Sequence, residues 1–161
     1  MPDGVPDLGA AFLGSSYGRA GERLWLYVDG PGVLPGWSAP GGRWGIVTAW
    51  NPGGAQAGSA ENDTAQTRLT GRVQGWSPLS GFNGDGGWRE DTLILRGVPL
   101  REAARLGHQF GQAAILWGVG RRAALVWLDG PPFSEGLRIE RLWLRRAASP
   151  GTADCGYTAG L

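Results

Sequence analysis

The residues best suited to chemistry lie where a strand-like run meets a helix-like one. The run Thr48-Ala49-Trp50-Asn51-Pro52 is followed by a glycine pair, and the next helix-like stretch opens with Ser59-Ala60-Glu61-Asn62. A helix start offers unpaired backbone N–H groups and the positive end of the helix dipole. Because Asn51, Glu61 and Asn62 are within reach of this junction, it predicts a site for a small polar or anionic ligand.

The same residue types also suit a purely structural role. Asn51 can shape the turn before a proline, and Ser59 is the expected N-cap of the helix. Asn62 falls at the N-terminal end of the core-facing stripe, where it can satisfy backbone groups of the loop. The sequence leaves both interpretations open.

Two more candidates stand at the beginnings of predicted strands. Glu90 begins one strand, and Gln112 begins another directly after the second predicted helix. If these strands are neighbours, both side chains converge with Asn51 and Asn62 at one end of the sheet. A surface ion pair for Glu90 and a bond to the preceding helix end for Gln112 are the structural alternatives. The candidate ligand-binding residues are therefore Asn51, Glu61, Asn62, Glu90 and Gln112.

The elements that must position these residues follow from hydrophobic patterning. Pro99 suits the first turn of the second helix, which Gly111 is placed to end. The glycine-rich segment 80–87 is interpreted as a flexible loop, with a further strand before Glu90 left open. The predicted strands are 24–28, 44–50, 90–95, 113–117, 123–128 and 137–144. This order predicts an α+β fold, a single mixed or mostly antiparallel sheet with two helices packed on one face.

Length and composition indicate one domain in a reducing compartment. The 161 residues divide into a loose start (1–9), one domain (10–146) and a small-residue tail (147–161). The single Cys155 excludes an internal disulfide framework. Without an apolar run near the roughly 20 residues of a membrane span or a signal-like start, we expect a soluble, cytoplasmic protein with no membrane partner.

Several classes of chemistry are excluded by composition. All fifteen basic residues are arginines, so no Schiff-base lysine and no phosphate-loop lysine can exist. The only histidine, His108, falls on the predicted solvated side of the second helix, and we do not expect it to be catalytic. Asp85, Glu90 and Asp91 could bind a divalent cation, but they fit turn and surface positions at least as well. We therefore expect no metal and no cofactor.

Four short motifs in a fixed order resemble a known family. They are Thr48-Ala49-Trp50-Asn51-Pro52, the Ser-Ala-Glu-Asn beginning at Ser59, Trp88-Arg89-Glu90, and Phe110-Gly111-Gln112 followed by Ala114-Ile115. Together, over residues 44–117, they resemble the bacterial family of domain of unknown function 3293. The resemblance implies a small standalone bacterial protein and supplies no activity. Asp91-Thr92-Leu93 departs from the proline-serine-aromatic run more common in the family.

Three functions are consistent with these observations. The leading one is a binding or accessory domain, rather than an enzyme, that recognises a small polar or anionic ligand or a partner protein. The second is a hydrolase-like enzyme with Glu61 or Glu90 as general base. The third is nucleic-acid binding through tryptophans and arginines, although the net charge of +1 provides no global attraction. The arginines considered are Arg138, Arg141, Arg145 and Arg146, and the better-placed tryptophans are Trp37, Trp76 and Trp88.

Overall fold

A computed structural model describes residues 8–85, 88–128 and 137–146. Its helices are α1 (Leu8–Leu13), α2 (Ser59–Arg72) and α3 (Leu100–Gln109). Its strands are β1 (Ser16–Arg19), β2 (Glu22–Tyr27), β3 (Arg43–Val47), β4 (Leu79–Asp85), β5 (Trp88–Arg96), β6 (Ala114–Val119), β7 (Arg122–Trp127) and β8 (Arg138–Arg145). Short 3-10 turns lie at Pro52–Gly54 and Gln74–Trp76.

The strands form one sheet in the order β1-β2-β8-β7-β6-β3-β5-β4, and each neighbouring pair is antiparallel. The sheet curls until its two edge strands lie side by side. The Ser16 hydroxyl is 3.4 Å from the carbonyl oxygen of Gly84, and Arg23 donates to that same oxygen across 3.3 Å. The α+β class is thus confirmed, and the sheet is antiparallel and nearly closed into a barrel.

Alternation along the strands divides the buried hydrophobic side chains between the two faces of the sheet. On β3, Trp44 and Ile46 point to one face and Val47 to the other. The first face belongs to the inner cluster, which draws on seven strands and fills the barrel: Tyr17, Leu24, Leu26, Trp37, Trp44, Ile46, Ile94, Ala114, Leu116, Ala123, Leu125, Trp127, Leu142 and Leu144. The second belongs to the outer cluster, which contains Leu69 of α2 and Leu106 of α3.

The first helix has no counterpart in the prediction. In the described residues there are three helices, and α1 packs Leu8 and Phe12 against the inner cluster. The predicted arrangement of two helices on one face is not confirmed in that form. The sequence did not predict helix α1 because six residues are too few to show the periodicity that identifies longer helices.

The interpretation of residues 80–87 as a flexible loop was wrong over most of its length. Leu79–Asp85 is strand β4, paired with β5 in register from Leu79↔Ile94 to Asp85↔Trp88. Glycine is needed where β1 passes close by, since a Cβ on Gly81 would lie 2.7 Å from the Gly18 carbonyl oxygen. Residues 86 and 87 lie outside the described residues.

The prediction for the start of α2 was off by one residue. Gly58 is the N-cap, with extended backbone at φ −69° and ψ 153°, and Ser59 is the first helical residue. Ser59 therefore does not cap the helix through its side chain. None of the helices in the described part of the chain has the length and apolar character needed to cross a membrane.

Candidate functional site

Asn51 is the organising residue of the junction between β3 and α2. Its backbone is left-handed, at φ 48° and ψ 62°, a conformation that asparagine tolerates better than most residues. Its backbone N–H donates to Oδ1 of Asn62 across 3.0 Å, and Nδ2 of Asn62 donates to Oδ1 of Asn51 across 3.1 Å. The backbone N–H of Ala57 also donates to that oxygen, at 2.9 Å. The junction is therefore held by its own side chains.

A second set of bonds fixes the end of β3 to α2 and β5. The Gln66 amide oxygen accepts from the backbone N–H of Ala49 at 2.9 Å, and its Nε2 donates to the Asp91 carbonyl at 3.2 Å. The Thr48 hydroxyl lies 2.7 Å from the same carbonyl. Because these groups are buried or half-buried, the wall carrying Asn51 is rigid.

Glu90 meets Asn51 from the neighbouring strand. Nδ2 of Asn51 donates to Oε2 of Glu90 across 2.8 Å. Burial raises the pKa of the Glu90 carboxyl above its ordinary value, and the bond from Asn51 offsets part of that rise. Glu90 is therefore a half-buried carboxyl held in a fixed orientation.

Gln112 approaches from the other side of β3. Its Nε2 donates to the carbonyl oxygen of Trp50 at 3.0 Å and to that of Phe110 at 3.3 Å. The strands that follow Gln112 and contain Glu90 are not neighbours of each other, since β3 lies between β6 and β5. Glu90 and Gln112 therefore approach the same end of the sheet because β3 lies between their two strands.

These residues line a cavity of about 300 Å³ in the mouth of the barrel, between the strand ends and α1. The volume is at the lower end of the roughly 300–1,000 Å³ typical of small-molecule sites. Polar lining residues include Ser15, Tyr17, Thr48, Asn51, Asn83, Glu90 and Gln112. Apolar lining residues include Leu8, Phe12, Ile46, Leu116 and Leu125. The composition is that of an apolar pocket with a few convergent polar groups.

Helix α1 is held over this mouth by two contacts. The Tyr17 hydroxyl donates to the Phe12 carbonyl oxygen across 2.6 Å. The Phe12 ring meets the Trp127 ring edge-on, with centroids 5.6 Å apart. Burial raises the pKa of the Tyr17 phenol, and the nearby Glu90 carboxylate raises it further. Tyr17 is therefore a protonated donor that anchors α1.

Of the five candidate residues, three line the cavity and two do not. Asn51, Glu90 and Gln112 line the cavity. Asn62 is buried directly behind Asn51 and reaches the cavity only through it. Glu61 is exposed on the first turn of α2 and does not line the cavity.

Sequence reasoning missed Tyr17 and Asn83. Asn83 is paired directly with Glu90 across β4 and β5, so the two side chains share a face of the sheet. Alternation through Leu79, Gly81 and Asn83 is the signal that could have found it, but the glycines made the segment resemble a loop. Tyr17 lies on a four-residue strand with no signal of its own.

Other candidates lie elsewhere. His108 is exposed near the end of α3 and does not line the cavity. Within the described residues, no group of three histidine, cysteine or acidic side chains could hold a metal ion. Trp37 was wrongly placed as a surface candidate, because it is buried against Trp44 in the inner cluster. Trp76 is half-buried against the outer cluster, and the Trp88 side chain lies outside the described residues.

Two of the arginines considered for nucleic-acid binding stack on aromatic rings. The Arg138 guanidinium lies 4.7 Å from the Trp127 ring centroid, and that of Arg145 lies 4.6 Å from the Tyr27 ring centroid. Arg146 forms a 3.4 Å ion pair with Glu22. Nucleic-acid binding by this surface stays a prediction.

The comparison with known families matches the part of the chain that builds this site. Residues 47–115 match the model of a family described as Protein of unknown function (DUF3293). The match runs from the end of β3 into β6 and includes Asn51, Asn62, Glu90 and Gln112. No curated protein and no solved structure matches the chain. The resemblance found in the sequence is therefore confirmed, and the chain is similar to this family over residues 47–115.

Proposed function

We propose that this domain binds a small molecule in the mouth of the barrel. The observation that carries the proposal is the cavity of about 300 Å³ in which Asn51, Glu90 and Gln112 meet an apolar wall. Apolar surface gives affinity in such pockets, while a few fixed polar groups select the ligand. A small molecule, rather than a protein partner, suits a concave site of this size.

The construction of the two walls supports this proposal. The polar wall is fixed by the paired amides of Asn51 and Asn62, so little ordering of side chains is needed when a ligand enters. The opposite wall is the short helix α1, which contributes Leu8, Ala11 and Phe12. One wall is thus preorganised, and the other is a small element that covers the ligand.

We also infer that α2 and α3 pack together on the outer face of the sheet and take no direct part in ligand contact. Leu69 and Val73 of the α2 region and Ala103 and Leu106 of α3 belong to one outer cluster. The inner face at the barrel mouth then remains available to the ligand.

A second candidate is an enzyme in which Glu90 transfers a proton. It is favoured by the combination of a raised pKa and a carboxyl fixed at one oxygen by Asn51. The same cavity would hold the substrate, so both candidates require ligand entry at this site. Binding without turnover by the wild type would support the first, while turnover abolished in Glu90→Gln would support the second.

The experiment that tests the proposal compares two substitutions on the same helix. Ala10 and Ala11 are both exposed, but only Ala11 lines the cavity. A thermal-shift screen of small amphipathic molecules is run on the wild type, Ala11→Phe and Ala10→Phe. Molecules that raise the Tm of the wild type and of Ala10→Phe should lose their effect on Ala11→Phe, because the new ring fills the cavity. Equal stabilisation of all three proteins would refute the site.

A further inference from the structure

Several hydrogen-bond donors of the cavity already have acceptors within the protein. The Tyr17 hydroxyl donates to the Phe12 carbonyl, and Nδ2 of Asn51 donates to Glu90. The Nε2 group of Gln112 donates to two backbone carbonyls, and Thr48 donates to the Asp91 carbonyl. These four side-chain donors are therefore already engaged within the protein.

Among the described residues, one side-chain acceptor of the cavity lacks a hydrogen-bond donor. The side-chain oxygen of Asn83 is buried and has no hydrogen-bond partner among the described residues. The Glu90 carboxylate receives the Asn51 bond at Oε2. Asn83 and Glu90 are direct cross-strand partners, so their side chains flank one spot on the cavity wall. A buried acceptor without a donor destabilises the protein, and a ligand donor placed there would remove that cost.

The charge of the cavity lining also favours a ligand that donates hydrogen bonds and carries a positive charge. The lining residues of the described chain include Glu90 but no arginine or histidine. The N-terminus of α2 could attract an anion, but none of the described residues 58–61 that form it lines the cavity. An anionic ligand would place two negative charges together in a desolvated space, whereas a cation would neutralise Glu90.

We propose that the ligand is a small amphipathic amine or related nitrogen cation, which donates to Glu90 and Asn83 while its apolar body lies against Phe12, Ile46 and Leu116. This inference rests on the proposed function and narrows the ligand from any small molecule to one chemical class. Of the small polar or anionic ligands that the sequence predicted, it disfavours the anionic ones.

Protonation of Glu90 gives a second readout. Tyr17 is the other ionisable side chain among the described lining residues, and it stays neutral because burial raises its pKa. The facing residues Asn83, Asn51, Thr48 and Gln112 are uncharged at every pH. Burial raises the pKa of Glu90, so amine binding should weaken as the pH falls through that raised value.

The test uses three probes with similar apolar bodies: 2-phenylethylamine, 2-phenylethanol and 3-phenylpropionate. Calorimetric titration measures each against the wild type, Glu90→Gln, Ala11→Phe and Asp63→Asn, the last removing an exposed carboxylate of α2. We expect the amine to bind the wild type at least about tenfold more tightly than the other two probes. The preference should disappear in Glu90→Gln and persist in Asp63→Asn.

The outcomes separate this inference from the proposed function. If the alcohol or carboxylate binds as tightly as the amine and Ala11→Phe abolishes that binding, the cavity is a ligand site and the amine inference is wrong. If the amine preference survives in Glu90→Gln, the inference is also wrong. If no probe shows binding that Ala11→Phe abolishes, the amine inference is wrong, whereas the proposed function is decided by the thermal-shift screen. The near-UV circular dichroism spectrum of Glu90→Gln verifies that this variant is folded, so that a loss of binding is not caused by unfolding.

Discussion

Asn51 and Glu90 are 39 positions apart in the chain, yet the amide of the first donates a 2.8 Å hydrogen bond to the carboxyl of the second. This contact joins the turn after β3 to the beginning of β5 at the mouth of the barrel. Asn51 achieves it from a left-handed backbone that is itself held by Asn62. Both residues lie within the segment that matches the family model, and both line the cavity.

The left-handed conformation of Asn51 predicts an unusual order of stabilities. Asn51→Ala loses three side-chain bonds and places a Cβ residue without amide chemistry at φ 48°. We expect it to lower the free energy of unfolding by about 2–4 kcal/mol. Asn51→Gly loses the same bonds but relaxes the backbone, so it should be the more stable variant by about 1 kcal/mol. Urea denaturation measures both, and a less stable glycine variant would contradict this account.

The paired amides of Asn51 and Asn62 predict that an acid cannot replace Asn62. Asn62→Asp keeps an acceptor for the Asn51 N–H but turns a negative oxygen toward Asn51 Oδ1. Since the pair is buried, we expect a loss of about 1–3 kcal/mol in chemical denaturation. Glu61→Gln, one position earlier and exposed, should change stability by less than about 0.5 kcal/mol. Equal effects of the two substitutions would show that the amide pair is not as described.

The raised pKa of Glu90 predicts a pH-dependent stability difference between the wild type and Glu90→Gln. Below the ordinary glutamate pKa of about 4.3, the carboxyl is protonated in both the folded and unfolded states and costs nothing. As the pH rises through the higher folded-state pKa, the buried carboxyl ionises at a cost, and stability is lost. Glutamine is uncharged and can still accept from Asn51.

Glu90→Gln should therefore unfold at a higher Tm than the wild type at about pH 8, and the gap should close toward about pH 4. Differential scanning calorimetry across this range measures it, and the other carboxylates cancel because both proteins carry them. A gap that widens on acidification would mean that Glu90 is stabilised as an anion in the folded protein.

The far end of the barrel predicts a contrast between two glycines. A Cβ on Gly118 would lie 2.3 Å from the Trp44 ring and 2.4 Å from the Arg122 carbonyl, while a Cβ on Gly71 of α2 would meet nothing within 4 Å. Gly118→Ala should therefore cost about 1–3 kcal/mol, because Trp44 is fully buried. Gly71→Ala should stabilise the protein by about 0.5–1 kcal/mol, since alanine favours the helix. Thermal unfolding of both variants measures the contrast.

Much of the fold was predictable because its longer elements carry clear periodicity. Predicted runs overlap strands β2, β3, β5, β6, β7 and β8 and helices α2 and α3, with boundaries that differ by one to three residues. The prediction failed for β4, where Gly81 and Gly84 weakened the strand pattern, and for α1 and β1, which have six and four residues. Closure of the barrel could not be predicted, because it depends on contact between β1 and β4, elements that had not been assigned.

Part of the candidate site was predictable because its residues lie near strand ends. Asn51 and Gln112 were identified because each lies at a boundary between elements. Glu90 was identified because it was predicted to begin a strand, although β5 begins two residues earlier, at Trp88. Asn83 and Tyr17 lie within strands that the sequence did not reveal. Glu61 was included because it is close along the chain, but it is exposed, while the next residue, Asn62, is buried against Asn51.

The central claim is that a ligand occupies the barrel mouth, and nuclear Overhauser contacts between a bound molecule and assigned methyl groups test it most directly. For 2-phenylethylamine or any hit from the thermal-shift screen, the account predicts contacts to Ile46, Leu116 and Leu125 in the cavity. Contacts confined to the exposed side chains of Val28, Val119 and Ile139 would contradict it.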